Sequence, residues 1–289
     1  MKRLLLSFLA VSALLSIVRA EDMLIVGSDL LEGALVEPLT AFAESEGLDI
    51  EIDLYGSIPA MAQVRNGDAT LAIVANADGG KFEEAGLKVI PFAYQVAFVV
   101  VNRNNPMREI SLNQLAGIFG TTSETYYSRW GELNITGGMA TRSIQPIVLL
   151  EPDSVVVELF KSVALNRSPL KQNIRYIEDY TSNREVVGGD SGAIAIFTYL
   201  PEDSSLKALS VADKEGIAYD PARENVYFGD YPLTLPFYIV YRTENAEEVR
   251  SIVRFLLGEE MVQSLEHHHF MPIPENPRKR AILDLDIGS

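Results

Sequence analysis

The apolar positions of this chain recur in two alternating rhythms. "MLIVGS" (23–28) is a short apolar run closed by Gly-Ser. "LEGALVEPLTAFAESEG" (31–47) repeats apolar residues at helical spacing and stops at Gly47. "LDIEIDLYGS" (48–57) alternates apolar and polar as a half-buried strand does, and again closes on Gly-Ser. "IPAMAQVRNG" (58–67) reads as a short helix with Pro59 near its first turn and Gly67 past its end. "ATLAIVANA" (69–77) reads as a buried strand. This β-α-β-α-β opening predicts a mostly parallel sheet with helices on both faces.

Further on, "VIPFAYQVAFVVVNRNNP" (89–106) is a long strand-like run without a turn signal before Asn102. "SLNQLAGIFG" (111–120) carries a Ser cap, helical spacing and a closing Gly120. "IQPIVLL" (144–150) predicts a strand and "EPDSVVVELF" (151–160) the helix after it; "IRYIED" (174–179) and "GAIAIFTYL" (192–200) predict strands. "DYPLTLPFYIVYR" (230–242) is a second long apolar run, and 246–269 is helical with a break near Gly258. Beyond Met271 the pattern dissolves into a Pro-rich, then charged, tail. Two long strands bracketing an α/β segment predict two α/β lobes, each a mixed, mostly parallel sheet flanked by helices, joined by two crossover strands. The predicted bounds are 21–96 with 232–289 for the first lobe and 97–231 for the second. In that architecture a ligand cleft lies between the lobes, at strand C-termini and helix N-termini.

The N-terminus changes the picture. Lys2 and Arg3 precede an apolar run from Leu4, and Val18-Arg19-Ala20 has the small residues of a cleavage site. Residues 1–20 therefore read as a signal peptide, and the run is short for a membrane span, which needs roughly 20 residues. With no cysteine there is no disulfide, no thiolate metal site and no lipid-anchor cysteine. The expectation is a soluble periplasmic protein. Without Lys2, Arg3 and Arg19, 21 of the 24 basic residues remain against 40 acidic ones, a net charge of −19. This disfavours nucleic acid and anionic membrane as partners and repels anionic ligands at long range. An anion site has to beat that field with local backbone donors.

Several stretches fit together: "VGSDLL", "YGSIPAMAQVRNGDATLAIV", "NNP" followed by "LNQLAGIFG", then "RWGEL", "PIVLLEPDSVVVELFK", "GAIAIF" and "YPLTLPFYIVY". In this order they resemble the phosphate-binding proteins of ABC transporters, within the type II periplasmic binding-protein fold. The resemblance implies a solute-binding protein that closes two lobes on phosphate or another oxyanion, without cofactor or catalysis, and works with an inner-membrane ABC permease. It also implies that Ser28, Ser57 and Ser154 stand in the three ligand loops. The match is incomplete. Where the family typically reads Ser-Gly-Thr-Arg, this chain has Ser154-Val155-Val156-Val157, and after the third strand, where the family often has Ser-Arg or an Asp, it has Ala75-Asn76. Two other readings therefore stay open: a different small polar ligand, or an interaction module that has lost its anion.

The residues themselves carry two readings each. Ser28, Ser57 and Ser154 are helix caps, cleft hydroxyls, or both. Asp29 and Asp153 suit the first turn of a helix, or face the cleft and repel a phosphate. Asn76 both donates and accepts. Arg65, Arg129 and Arg142 lie in segments able to approach the cleft, and Arg129 is the compensating cation this reading selects. Tyr55, Tyr94 and Tyr231 form an aromatic cleft wall or pack within a lobe. "GGDSGA" (188–193) resembles a serine-protease loop, but all three histidines lie at 267–269, so a tight turn is the reading adopted. Three adjacent histidines diverge on a helix, which argues for an exposed helix end rather than a metal site. No nucleotide loop or paired-carboxylate signature is present.

Overall fold

The computed structural model describes residues 23–76, 82–149, 155–177, 180–200 and 203–287. The predicted signal segment, 1–20, and the residues Asp153 and Ser154 lie outside them. The opening follows the predicted alternation: β1 (Met23–Gly27), α1 (Glu32–Glu46), β2 (Ile50–Leu54), α2 (Ser57–Asn66), β3 (Leu71–Ala75). Then come β4 (Leu87–Val96), β5 (Phe98–Asn102), β6 (Glu109–Ser111), α3 (Leu112–Phe119), β7 (Gln145–Leu149), α4 (Val156–Ala164), β8 (Arg175–Ile177) and α5 (Tyr180–Gly189). The chain continues with β9 (Ala193–Phe197), β10 (Leu206–Ala208), β11 (Ser210–Ala212), β12 (Ala218–Tyr219) and α6 (Arg223–Phe228). It closes with β13 (Thr234–Arg242), α7 (Arg250–Leu256), α8 (Glu259–His267), β14 (Met271–Pro272) and α9 (Glu275–Ile287).

Two large sheets result. The six-stranded one has the order β14-β4-β13-β3-β1-β2, and the five-stranded one β10-β5-β9-β7-β8. Each is parallel on one side, at β3-β1-β2 and at β9-β7-β8, and antiparallel where the long strands enter. A small sheet, β12-β11-β6, lies beside them. The long apolar run is thus not one strand. It leaves the six-stranded sheet at Val96 and joins the five-stranded sheet at Phe98, with Ala97 between. The chain returns to the first sheet through Leu233 and Thr234.

The two passages are stitched together. The Ala97 N–H donates to the Leu233 carbonyl at 2.9 Å, and the Tyr231 hydroxyl donates to the Ala97 carbonyl at 2.9 Å. Tyr231 is fully buried, so its phenol is pushed up by desolvation. Register then fixes direction. Phe237 pairs with Ala75 and Thr234 with Val96, so the C-terminal ends of β1, β2 and β3 point toward the crossovers. Phe98 pairs with Phe197, and β9 runs parallel to β7, so the C-terminal ends of those strands point there too.

Local rules explain the helices. Ser111 caps α3 by accepting from the Gln114 N–H at 3.2 Å, while the Gln114 side chain accepts from the Ser111 N–H at 2.9 Å. Helices α1 and α2 end on Gly47 and Gly67, both left-handed. The charged tail is a helix, α9, which the Pro-rich pattern hides. Pro277 falls in its first turn, where proline is tolerated, and Leu285 is buried. Arg278 ties it to Glu259 at 3.2 Å. The three histidines do form a helix end, with His267 and His268 exposed, while the His269 ring stacks on Tyr199 with centroids 4.0 Å apart. "GGDSGA" is a turn in which the Asp190 carboxylate accepts from the Gly192 N–H at 2.8 Å. Among the described residues no helix is long and apolar enough to cross a membrane.

Three substitutions test this account of stability. Tyr231→Phe leaves the buried Ala97 carbonyl without its donor and is expected to lose about 1–3 kcal/mol in urea unfolding. Tyr55→Phe, at an exposed ring, is expected to stay within about 0.5 kcal/mol. Ser111→Ala removes the α3 cap and is expected to lose about 1 kcal/mol; an unchanged midpoint would show that α3 is held by packing alone.

Candidate functional site

The parallel side of the six-stranded sheet ends in three loops that meet at one edge. Gly27 closes β1 with no room for a side chain: a Cβ there would sit 2.4 Å from the Ile73 carbonyl oxygen. The next residue, Ser28, is buried, and its N–H donates to that carbonyl at 2.8 Å. The chain leaving β2 turns at Gly56, whose φ of 130° favours glycine, and the Gly56 N–H donates to the Gly27 carbonyl at 2.9 Å. Helix α2 begins at Ser57. The Ser57 Oγ accepts from the Ala75 N–H at 2.8 Å, which ties the start of α2 to the end of β3. Asn76 follows, and its N–H donates to the Pro236 carbonyl at 2.9 Å. Ser28, Ser57 and Asn76 therefore share one edge.

The chemistry of that edge follows from what each group has left to offer. Ser28 precedes the helical turn Asp29–Leu31 and makes no side-chain cap bond. Ser57 uses an oxygen lone pair on Ala75, so its hydroxyl proton remains available to donate. First-turn N–H groups of α2 have no intrahelical acceptor, and a helix N-terminus carries roughly half a positive charge. An anion is the natural complement of such a start. Asp29 lies exposed in its own first helical turn, where a carboxylate suits the dipole and competes with an incoming anion.

The opposing edge, after β7, is described only from Val155 on. Val156 is buried, and Val155 and Val157 are half-buried against the main core. The residues that replace the expected glycine, hydroxyl and arginine thus serve packing. Arg129 does not replace the missing cation. It bridges to Ser143, ahead of the first residue of β7, whereas the crossover edge lies beyond Leu149. The strand between spans about 13 Å. Arg129 is exposed, and its N–H donates to the Glu132 carboxylate at 3.1 Å. The Ser128 and Arg129 amides hold that carboxyl below its usual range. Arg142 sits at the same far end, 3.5 Å from Asp190. Arg65 lies in the last turn of α2, paired with Glu84 at 2.7 Å.

The tyrosines divide. Tyr231 is crossover packing and Tyr55 is exposed. Tyr94 is buried, its hydroxyl directed at the Tyr227 carbonyl at 3.5 Å, and desolvation pushes its phenol up. It borders a groove of about 770 Å³ that also takes in Tyr227, Phe228 and Tyr238. The sequence reading misses the last three. The aromatic pair Tyr227-Phe228 just before the return strand was the available signal.

A family model described as the PBP superfamily domain matches residues 18–260. Protein SphX of Synechococcus elongatus is 31% identical over 193 residues, 64% of this chain and 56% of SphX, so the chain spans little more than half of that relative. The phosphate-binding protein PstS of Pseudomonas aeruginosa is 24% identical over 285 residues, covering 91% of this chain and 86% of PstS. Among solved structures, a possible phosphate binding protein from Planctomyces limnophilus matches with a TM-score of 0.69 at 17% identity, over 92% of this chain and 97% of that one. PstS from Borrelia burgdorferi matches with a TM-score of 0.66 at 17% identity, over 87% and 98% of the two chains. At that identity the likeness shows the fold, the two-lobed mixed α/β architecture of binding proteins. With the family model spanning most of its length, the chain belongs to the PBP superfamily.

Proposed function

We propose that this chain is an exported solute-binding protein that closes two lobes on phosphate or a similar oxyanion and delivers it to an inner-membrane ABC permease. The lobes are 21–96 with 232–289, and 97–231. One observation carries the reading: Ser28, Ser57 and Asn76 meet at a single strand edge, with a hydroxyl proton and a helix start left to donate. Relatives named as phosphate-binding proteins support it. The apolar leader supports export. In this reading Ser154 completes the site from the second lobe, while Asp153 beside it competes with the anion for the helix start. No catalytic step is assigned, because an edge of hydroxyl and amide donors binds an anion without offering a nucleophile–base pair.

The lost guanidinium sets the expected strength. A charged partner removed from a desolvated anion site costs about 2–5 kcal/mol, between one and four decades of affinity. Binding here rests on amides and hydroxyls against a net charge of −19 in the chain without its leader. Phosphate at millimolar concentration is expected to raise the melting temperature of the mature protein; no shift with phosphate or sulfate sinks the reading. Ser57→Ala deletes a hydroxyl that would donate to a charged acceptor, worth about 1.5–3 kcal/mol, and is expected to weaken phosphate about ten- to a hundred-fold by calorimetry. A similar loss is not expected for Arg129→Ala; if that variant abolishes binding, the placement of the anion at the strand edge is wrong.

A further inference from the structure

The anion edge does not end in solvent on every side. One strand residue links it to the groove of about 770 Å³: Pro236, whose carbonyl takes the Asn76 N–H, is itself part of the groove lining. Tyr94 and Tyr238 come from the six-stranded sheet, Tyr227 and Phe228 from α6, Ser162 from α4 and Asn166 from just beyond its end. A bare oxyanion of five heavy atoms needs only a small fraction of that space. Pockets of roughly 300–1,000 Å³ with aromatic walls and a few polar groups are those that bury organic ligands.

Three features give the groove a direction. Phe228 is 71% exposed, and its ring meets Tyr227 edge-on with centroids 5.2 Å apart. An aromatic held this far into solvent gains by being covered. Ser162 and Asn166 are exposed and free to bond a polar substituent. Asp213 and Glu215 stand on the rim with Lys214, so the rim carries a net negative charge and opposes a second anionic group. The charged head of a ligand then belongs at the strand edge and an uncharged or cationic body in the groove.

We propose that the ligand class of this protein is an organic phosphate or phosphonate. Its oxyanion sits at the Ser28–Ser57–Asn76 edge and its organic substituent lies on the Tyr94–Tyr227–Phe228–Tyr238 shelf. The inference rests on the oxyanion reading above. The three valines at 155–157 agree with it, since a site that takes part of its affinity from aromatic cover depends less on an arginine.

Titration calorimetry on the mature protein with inorganic phosphate, methyl phosphate and phenyl phosphate separates the outcomes. Phenyl phosphate is expected to bind about ten-fold more tightly than phosphate, the worth of one well-covered aromatic ring, with methyl phosphate close to phosphate. Phe228→Ser, at an exposed ring, is expected to remove most of that advantage while phosphate affinity stays in place, and Tyr238→Leu to act in the same direction. If phosphate binds and phenyl phosphate is no tighter, or if the advantage survives both substitutions, the groove is not a ligand subsite and only the inorganic reading stands. If none of the three anions binds, the oxyanion reading itself has failed and this inference falls with it.

Discussion

The architecture depends on one peptide. Ala97 is held from both sides by the returning segment, through the Leu233 carbonyl and the Tyr231 hydroxyl. Buried backbone groups must find partners, and here the partners of the outgoing crossover are on the incoming one. The two passages therefore run together, and the point where the chain changes sheets is the same in both directions. Because the crossovers coincide, the parallel strands of both sheets aim their C-terminal ends at one gap. Helix starts follow strand ends in such a fold, so donors collect there. The site is a consequence of how the crossovers are tied.

What that gap can do is set by which donors survive. The first lobe keeps its set: a buried Ser28, a Ser57 whose oxygen is already used and whose proton is not, and the amides at the start of α2. On the second lobe the valines after residue 154 turn inward, and none of Arg65, Arg129 and Arg142 lies where a missing guanidinium would. Dipole and hydroxyl donors are short-ranged, each worth roughly 0.3–1 kcal/mol at an exposed helix end and more when desolvated. A site built from them holds an anion that fits and does little to draw one in from a distance. In a strongly acidic chain, selection then rests on contact rather than on steering.

Much of the frame was legible in the sequence because local physics wrote it. Gly27 and Gly56 are needed where a strand end approaches Ile73 and where φ is positive, so the two Gly-Ser pairs could be read as strand ends turning into helices before any coordinates. The capping box at Ser111 and the closing glycines marked their helices for the same reason. The crossing of the long apolar run near Val96 was legible too. What was not legible is non-local: the bonds that fix the change of sheet at Ala97 go to residues more than 130 positions away. Arg129 precedes β7 in the chain, and closeness in sequence to a strand does not say which of its ends a residue occupies. Helix α9 was hidden by prolines at 272, 274 and 277, of which only Pro277 falls inside it.

The valines at 155–157 and the aromatic groove are two sides of one balance. A guanidinium at the third loop would have to be desolvated on closure, which is favourable only with a full set of acceptors around it. Valine at that place removes the need: Val156 is buried, its neighbours half-buried, and the start of α4 is held by packing. In the proposed reading the second lobe's contribution to closure shifts from charge to surface, since Ser162 and Val163 of α4 and Asn166 just beyond it line the groove together with Tyr94 and Tyr238. Apolar cover is indifferent to ionic strength where a lone ion pair is not. On the proposed organic-anion reading, affinity for the smallest anion is exchanged for discrimination of what that anion carries.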